Sequence, residues 1–370
     1  MARKRIKIIH TWYAKNERII STLSLVGGFV FNALTLTRVD EFMENFWVIV
    51  HLVVVGACII MLNRQENFET LDSKNPERLH FWLVTVLQFT FGGLLSTFIV
   101  FYLRSAVIAV AWPFFLILAA AFVANESLKH HYSRVSFQIG FFFLSIYLFA
   151  IFVVPVIMHQ ISTQVFLMSG GLSVIALIGF IALLRKSTQI DIAKVRIELL
   201  SIVAGIFVIV NAFYFLNIIP PLPLALTDAG IYHSISRTTT GTYSVTLEPE
   251  SIREKLLTYI SVYPTFHATK DSLVYAYSSI FSPLSFNTTV THQWQKYDPT
   301  IKKWATEISV DLSVSGGRAQ GYRTYSINSD LTEGKWRVNV LTPGGQLVGR
   351  MAFEVVLDGT PTTLLTETKE

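Results

Sequence analysis

The sequence predicts an all-α membrane bundle of about seven transmembrane helices, followed by an all-β, immunoglobulin-like sandwich. Three observations carry this expectation. Seven apolar runs fill residues 19–219, each near or above the roughly twenty residues that cross a bilayer core as a helix. Pro220, Pro221 and Pro223 end the last of them, because proline lacks a backbone donor and cannot continue a helix. Beyond these prolines the apolar residues recur with a period of two, the spacing of half-buried strands.

Taken in order, residues 1–18 hold Arg3, Lys4, Arg5, Lys7, Lys15 and Arg18, with Trp12 and Tyr13 close to the first run. They read as a basic cytoplasmic anchor. The runs follow at about Ile19 to Leu36, Asn45 to Leu62, Phe81 to Leu103, Ser105 to Ala124, Phe137 to Met158, Thr163 to Leu184 and Ile197 to Ile219, the first two being the shortest. With the N-terminus inside, the cytoplasmic segments carry fifteen Lys and Arg, and the opposite side only Arg38 and Arg104. Basic loops stay on the cytoplasmic side, so this asymmetry orients the bundle. An odd number of crossings then delivers residues 222–370 to the outside, which in a bacterial inner membrane is the periplasm.

Composition agrees with this division. Hydrophobic residues make up 52% of the chain and charged residues 15%, which puts it on the membrane side of globular averages. The net charge of +5 does not indicate nucleic acid, because the excess is local. Up to Pro221 there are 17 Lys and Arg against 11 Asp and Glu, and beyond it 13 against 14. The single cysteine, Cys58, lies in an apolar run, so no disulfide staples the C-terminal part. Its length is enough to bury a core without one.

Residues 220–229 form a Pro-rich linker, residues 230–358 the sandwich, and residues 359–370 a polar tail expected to fray. Strands are expected at about Ile231 to Ser236, Thr242 to Leu247, Leu273 to Ile280, Thr289 to Gln295, Trp304 to Leu312, Gly321 to Ile327, Lys335 to Leu341 and Leu347 to Val356, with a possible short helix at Ile252 to Tyr259. In one of these, Trp336, Val338 and Val340 fall on one face while Arg337 and Asn339 fall on the other. Pro343, Gly344 and Gly345 make the turn that follows. Many short strands separated by turn signals argue an antiparallel sandwich or barrel.

Several separated motifs then occur in order: Pro220, Pro221, Pro223, Leu224 and Ala225; Gly230, Ile231, Tyr232 and His233; His292 and Trp294; the run from Gly316 to Ser326; and Gly334 to Val338 with Gly345, Gly349, Arg350 and Phe353. In these the chain resembles bacterial multi-span membrane proteins that end in the domain of unknown function 2914. The resemblance covers the C-terminal half, while the membrane half matches by hydropathy. It implies no catalytic or binding residues, since that family has no established activity.

The residues suggest little chemistry. No charged side chain lies deep in a run, where it would mark function; the polar content there is Asn32, His51, Gln88 and Asn211, with kinks expected at Pro113 and Pro155. His51 is expected to be a hydrogen-bonding residue between helices. The pairs Gly27 and Gly28, Gly92 and Gly93, and Gly170 and Gly171, with Gly205, suit close helix packing. Glu126, His130 and His131 cluster at one run's inner end without a metal motif. The glycines between Gly316 and Gly321 lead to a strand and lack the lysine of a phosphate loop; they are expected to supply positive φ. No catalytic constellation, cofactor or metal site is expected.

One polar set suits a ligand or partner: Arg318, Tyr322, Arg323, Tyr325, Arg337 and Arg350, with Trp294, Trp304 and Trp336 nearby in sequence. Arginine forks beside aromatic faces fit carboxylates, phosphates or sugar rings. The competing expectation is that the aromatics fill the core while the arginines pair with Asp311, Glu333 or Glu354. The chain is thus expected to sit in the lipid bilayer of the inner membrane and to display a periplasmic binding, scaffold or sensory module. Its partner would be an envelope protein or a cell-wall glycan, and no nucleic acid. The alternatives are a transporter or channel subunit with a cap domain, and a membrane-surface enzyme of lipid or glycan metabolism.

Overall fold

A computed structural model describes residues 26–36, 40–67, 76–127, 134–188, 190–239, 242–249, 263–269, 272–283, 287–318, 320–357 and 363–369. The basic N-terminus, the start of the first apolar run, the possible helix at Ile252 to Tyr259, and His130 and His131 lie outside these residues. The chain divides into two compact units, one of Met1–Arg104, Ala111–Val154 and Phe166–Ile219, the other of Ser105–Val110, Pro155–Val165 and Pro220–Glu370.

The helices are α1 (Val26–Thr35), α2 (Phe42–Asn67), α3 (Pro76–Arg104), α4 (Ile108–Ser127), α5 (Val135–Met158), α6 (Thr163–Thr188) and α7 (Arg196–Phe215). Among the described residues, the last six are long and apolar enough to cross a membrane, and α1 is a shorter apolar helix. Large apolar side chains such as Phe31, Leu34, Trp47, Val53, Phe89 and Trp112 point outward, as lipid-facing residues do. Several polar side chains among the helices bond to one another or to backbone. Asn63 Nδ2 donates to Gln138 Oε1 at 2.7 Å, Gln88 Nε2 to the Asn125 carbonyl at 3.1 Å, and Asn211 Nδ2 to Tyr147 Oη at 3.0 Å. His51 Nδ1 lies 2.7 Å from the carbonyl of Trp47, one turn earlier in its own helix. Gly170 allows close packing, since a Cβ there would lie 3.0 Å from Tyr147 Oη and 3.2 Å from the Phe207 ring. Gly27, Gly28, Gly171 and Gly205 have nothing so near.

The last helix stops sooner than the prolines require. Asn217 takes φ of 56°. Ile218 N donates to the Phe213 carbonyl at 2.8 Å, and Asn217 N to that of Tyr214 at 2.9 Å. These paired bonds satisfy the orphan carbonyls of the final turn, and asparagine tolerates the left-handed conformation they need. His159 ends α5 in a similar way, at φ 52° with Gln160 N bonded to the Pro155 carbonyl. Pro155 therefore sits in a helix's last turn, while Pro113 lies inside α4.

The second unit is β-rich. Its strands are β1 (Ala225–Tyr232), β2 (Ser234–Arg237), β3 (Tyr243–Leu247), β4 (Thr265–His267), β5 (Val274–Phe281), β6 (Asn287–Asp298), β7 (Lys303–Ser315), β8 (Tyr322–Asn328), β9 (Gly334–Leu341), β10 (Leu347–Val356) and β11 (Leu365–Lys369). They form three sheets, ordered β1-β5-β8, β4-β10-β9-β6-β7 and β11-β3-β2. Pairing is antiparallel except between β4 and β10, which run parallel. One hydrophobic cluster joins the first two sheets: Ala276 and Ile280 of β5 meet Trp294 of β6, Trp336 and Val338 of β9 and Phe353 of β10. A second cluster, built on Tyr232, Val245 and Tyr277, packs the small third sheet onto the first.

Two boundaries differ from expectation. The Pro-rich stretch does not behave as a linker: Leu222 and Leu224 are buried, Leu224 within the main core, and β1 begins at Ala225. The tail does not fray along its length, because Leu365–Lys369 pairs with β3 and Lys369 Nζ lies 3.2 Å from Asp228 Oδ2. Backbone pairing and this ion pair outweigh its polar composition. Gly317 and Gly321 do take positive φ, 97° and 94°.

Candidate functional site

The alternation along β9 builds the most unusual surface. Trp336, Val338 and Val340 enter the core, so Arg337 and Asn339 must face the other way. The register sets Gln295 opposite Arg337 and Gln293 opposite Asn339 on one side, and Ala352 opposite Arg337 and Arg350 opposite Asn339 on the other. Arg337 Nε donates to Gln295 Oε1 at 2.7 Å, and Arg350 Nε to Asn339 Oδ1 at 2.7 Å. Asn339 Nδ2 donates in turn to Gln295 Oε1 at 3.0 Å and Gln293 Oε1 at 3.3 Å. Gln295 Nε2 is used by Thr306 Oγ1 at 3.0 Å, so the orientation of each amide in this chain follows from its partners.

Aromatic rings flank the arginines. The Arg337 guanidinium carbon stands 4.2 Å from the Trp304 ring centre, and Tyr263 stacks beside Trp304 at 6.3 Å and 23°. Lys335 Nζ lies 5.1 Å over Tyr263. Burial, and secondarily the charge of Arg350, pushes Arg337 down to about 10, and burial lowers Arg350 as well. Arg337 thus stays cationic at neutral pH. Among the described residues neither arginine forms a salt bridge, and Asp311 instead accepts from Thr291 Oγ1 at 2.6 Å.

The other residues of the sequence-derived set lie elsewhere. Tyr322 packs against the main core, with the Arg318 guanidinium 5.3 Å from its ring. Tyr325 joins the tyrosine cluster, 6.2 Å from Tyr243 and 6.0 Å from Tyr275. Arg323 donates to Gln320 Oε1 at 3.3 Å. Trp294 and Trp336 are buried in the core, whereas Trp304 is half-buried on the outer face. Sequence reasoning missed the amides Gln293, Gln295 and Asn339 as partners, although polar residues two apart on facing strands were a signal.

Residues 287–355 match the family model described as "Protein of unknown function (DUF2914)". No curated protein matches the chain. Among solved structures, the Pseudomonas fluorescens alkylpurine DNA glycosylase AlkC bound to DNA containing an abasic site analog aligns over 85% of this chain and all of its own, at 9% identity and a TM-score of 0.23. A likeness so low carries no conclusion about fold or function.

The DUF2914 segment spans β6 to nearly the end of β10, so it supplies both arginines, the three amides and Trp304, while Tyr263 comes from outside it. Also outside it, Glu248 joins two histidines, with Oε1 2.9 Å from His233 Nε2 and Oε2 2.7 Å from His267 Nδ1. The same carboxylate accepts the backbone N–H of His267 at 2.8 Å. Among the described residues no group of three or more His, Cys, Asp or Glu is arranged to hold a metal ion.

Proposed function

We propose that this is an inner-membrane protein whose β domain is displayed on the periplasmic face as a binding, scaffold or sensory module of a bacterial envelope. The observation that carries this is the distribution of basic residues between helices. Arg64, Lys74 and Arg78 flank the α2–α3 connection, Lys129 and Arg134 the α4–α5 connection, and Arg185, Lys186, Lys194 and Arg196 the α6–α7 connection. The alternate connections carry only Arg38 and Arg104. Counting back from these loops puts the exit of α7 on the side opposite the basic ones, whether or not the first apolar run crosses.

The two sheets joined by one core support an immunoglobulin-like sandwich, an architecture suited to presenting a ligand face. The bundle's buried amides bond to each other, to Tyr147 or to backbone, which favours anchoring over a polar conduit. The experiment is thiol labelling of Ala305→Cys, an exposed position on β7, in intact cells with a reagent that passes only the outer membrane. Cys58 is buried in α2 and stays silent. Labelling without lysis is expected; labelling only after the inner membrane is broken would overturn the proposal. A photo-reactive residue at exposed Ser309 then separates the partners, a protein adduct favouring a scaffold and a glycan adduct a wall-binding module.

A further inference from the structure

We propose that Arg337 and Arg350 form an oxyanion-binding site on the outer face of the five-stranded sheet, for a ligand bearing a carboxylate or phosphate group. This rests on the β domain being a binding module and names the site and the ligand chemistry.

Folding alone gives no reason for the arrangement. Two half-buried guanidiniums on neighbouring strands repel, and burial of a charge is costly unless an opposite charge compensates it. Here the compensation is absent among the described residues: the partners of both arginines are amides. The surroundings orient the cations without neutralising them. A locally unfavourable arrangement without a structural gain is where function is expected.

The geometry says which atoms await a partner. Each arginine uses Nε for an amide oxygen, which leaves the outer Nη edges of both forks without an intramolecular hydrogen bond among the described residues. Those edges match the paired oxygens of a carboxylate or phosphate. The fork of Arg337 is held in place by the Trp304 face at 4.2 Å, and the chain from Arg350 through Asn339 to Gln295 ties the two guanidiniums together. Preorganisation of this kind reduces the entropy lost on binding. Ala352, opposite Arg337 on the next strand, contributes only a methyl group beside the pair.

The site is testable by calorimetry on the full chain in a neutral detergent, titrated with inorganic phosphate and separately with sodium glucuronate at constant ionic strength. Saturable binding of at least one probe is expected. Arg337→Gln and Arg350→Gln should each weaken it tenfold or more, while Arg318→Gln leaves it unchanged. Arg337→Lys keeps the charge but loses the fork, and should also weaken binding at least several-fold in a chain whose thermal midpoint is retained; it replaces the glutamine variant if that one fails to fold. A response to phosphate alone assigns a phosphorylated ligand, and a response to glucuronate alone an acidic glycan or peptide. No saturable binding of either probe, or unchanged affinity in folded Arg337 and Arg350 variants, overturns the site. The photo-adduct from Ser309 separates this from the broader proposal: if it persists in Arg337→Gln/Arg350→Gln while neither probe binds the parent, the domain still binds a partner and only the oxyanion site falls.

Discussion

His292 lies fully buried with Nε2 2.8 Å from Ser278 Oγ, a hydrogen bond that joins the five-stranded sheet to the three-stranded one through the middle of the core. Ser326 Oγ completes the link, 2.9 Å from His292 Nδ1 and accepting from Trp294 Nε1 at 3.0 Å. Either neutral tautomer satisfies the set, with one ring N–H donating to a serine oxygen and the other ring nitrogen accepting from a serine hydroxyl. Protonation of the ring would place a charge inside an apolar core.

The first expectation concerns pH. Burial lowers His292 from 6.5 to about 4. Between those values the unfolded chain takes up a proton that the folded chain does not. Stability should therefore be full above pH 6.5 and fall as pH drops toward 4, by on the order of 3 kcal/mol from this residue. Urea midpoints followed by tryptophan fluorescence from pH 7 to pH 4 would show the slope. His292→Gln should lower stability at pH 7 and flatten that part of the profile.

The two serines of this network should differ in cost. Removing Ser326 Oγ leaves Trp294 Nε1 and His292 Nδ1 without their partner, whereas removing Ser278 Oγ affects His292 Nε2 alone. At roughly 1–3 kcal/mol for each orphaned buried group, Ser326→Ala should destabilise the domain about twice as much as Ser278→Ala. Equal losses in thermal unfolding would show that the bonds are not independent.

Gly349 of β10 lies against Leu226 of β1, and a Cβ at position 349 would fall on the Leu226 side chain. The main core draws on residues of both strands here, and close packing leaves little room for displacement. Gly349→Ala should cost about 1–3 kcal/mol by overpacking. Leu226→Ala in the same chain should cost less than it does alone, and a double-mutant cycle measures that coupling.

In the bundle, Asn63→Leu removes the 2.7 Å bond between α2 and α5. Interhelical bonds of this kind contribute about 1 kcal/mol. The thermal midpoint in detergent should fall modestly, and Asn211→Leu, which removes the bond to Tyr147, should have a similar effect. A loss several times larger in either variant would indicate that the amide does more than hold helices together.

The apolar helices were legible because hydropathy acts locally along the chain: long apolar runs satisfy their backbone groups in lipid by becoming helices. The sequence alone also determined the change of architecture at the prolines and the period of β9, which sent Arg337 and Asn339 to one face. What it could not determine was set by strand register and sheet order. Arg337 and Arg350 meet because β9 and β10 are neighbours, while Arg323 and Tyr325 on β8 belong to another sheet. Tyr263 reaches Trp304 from outside the DUF2914 segment, and the polar tail pairs with β3 from over a hundred residues away. Period-two patterning tells which side of a strand a residue takes, but only tertiary pairing decides which strands lie side by side.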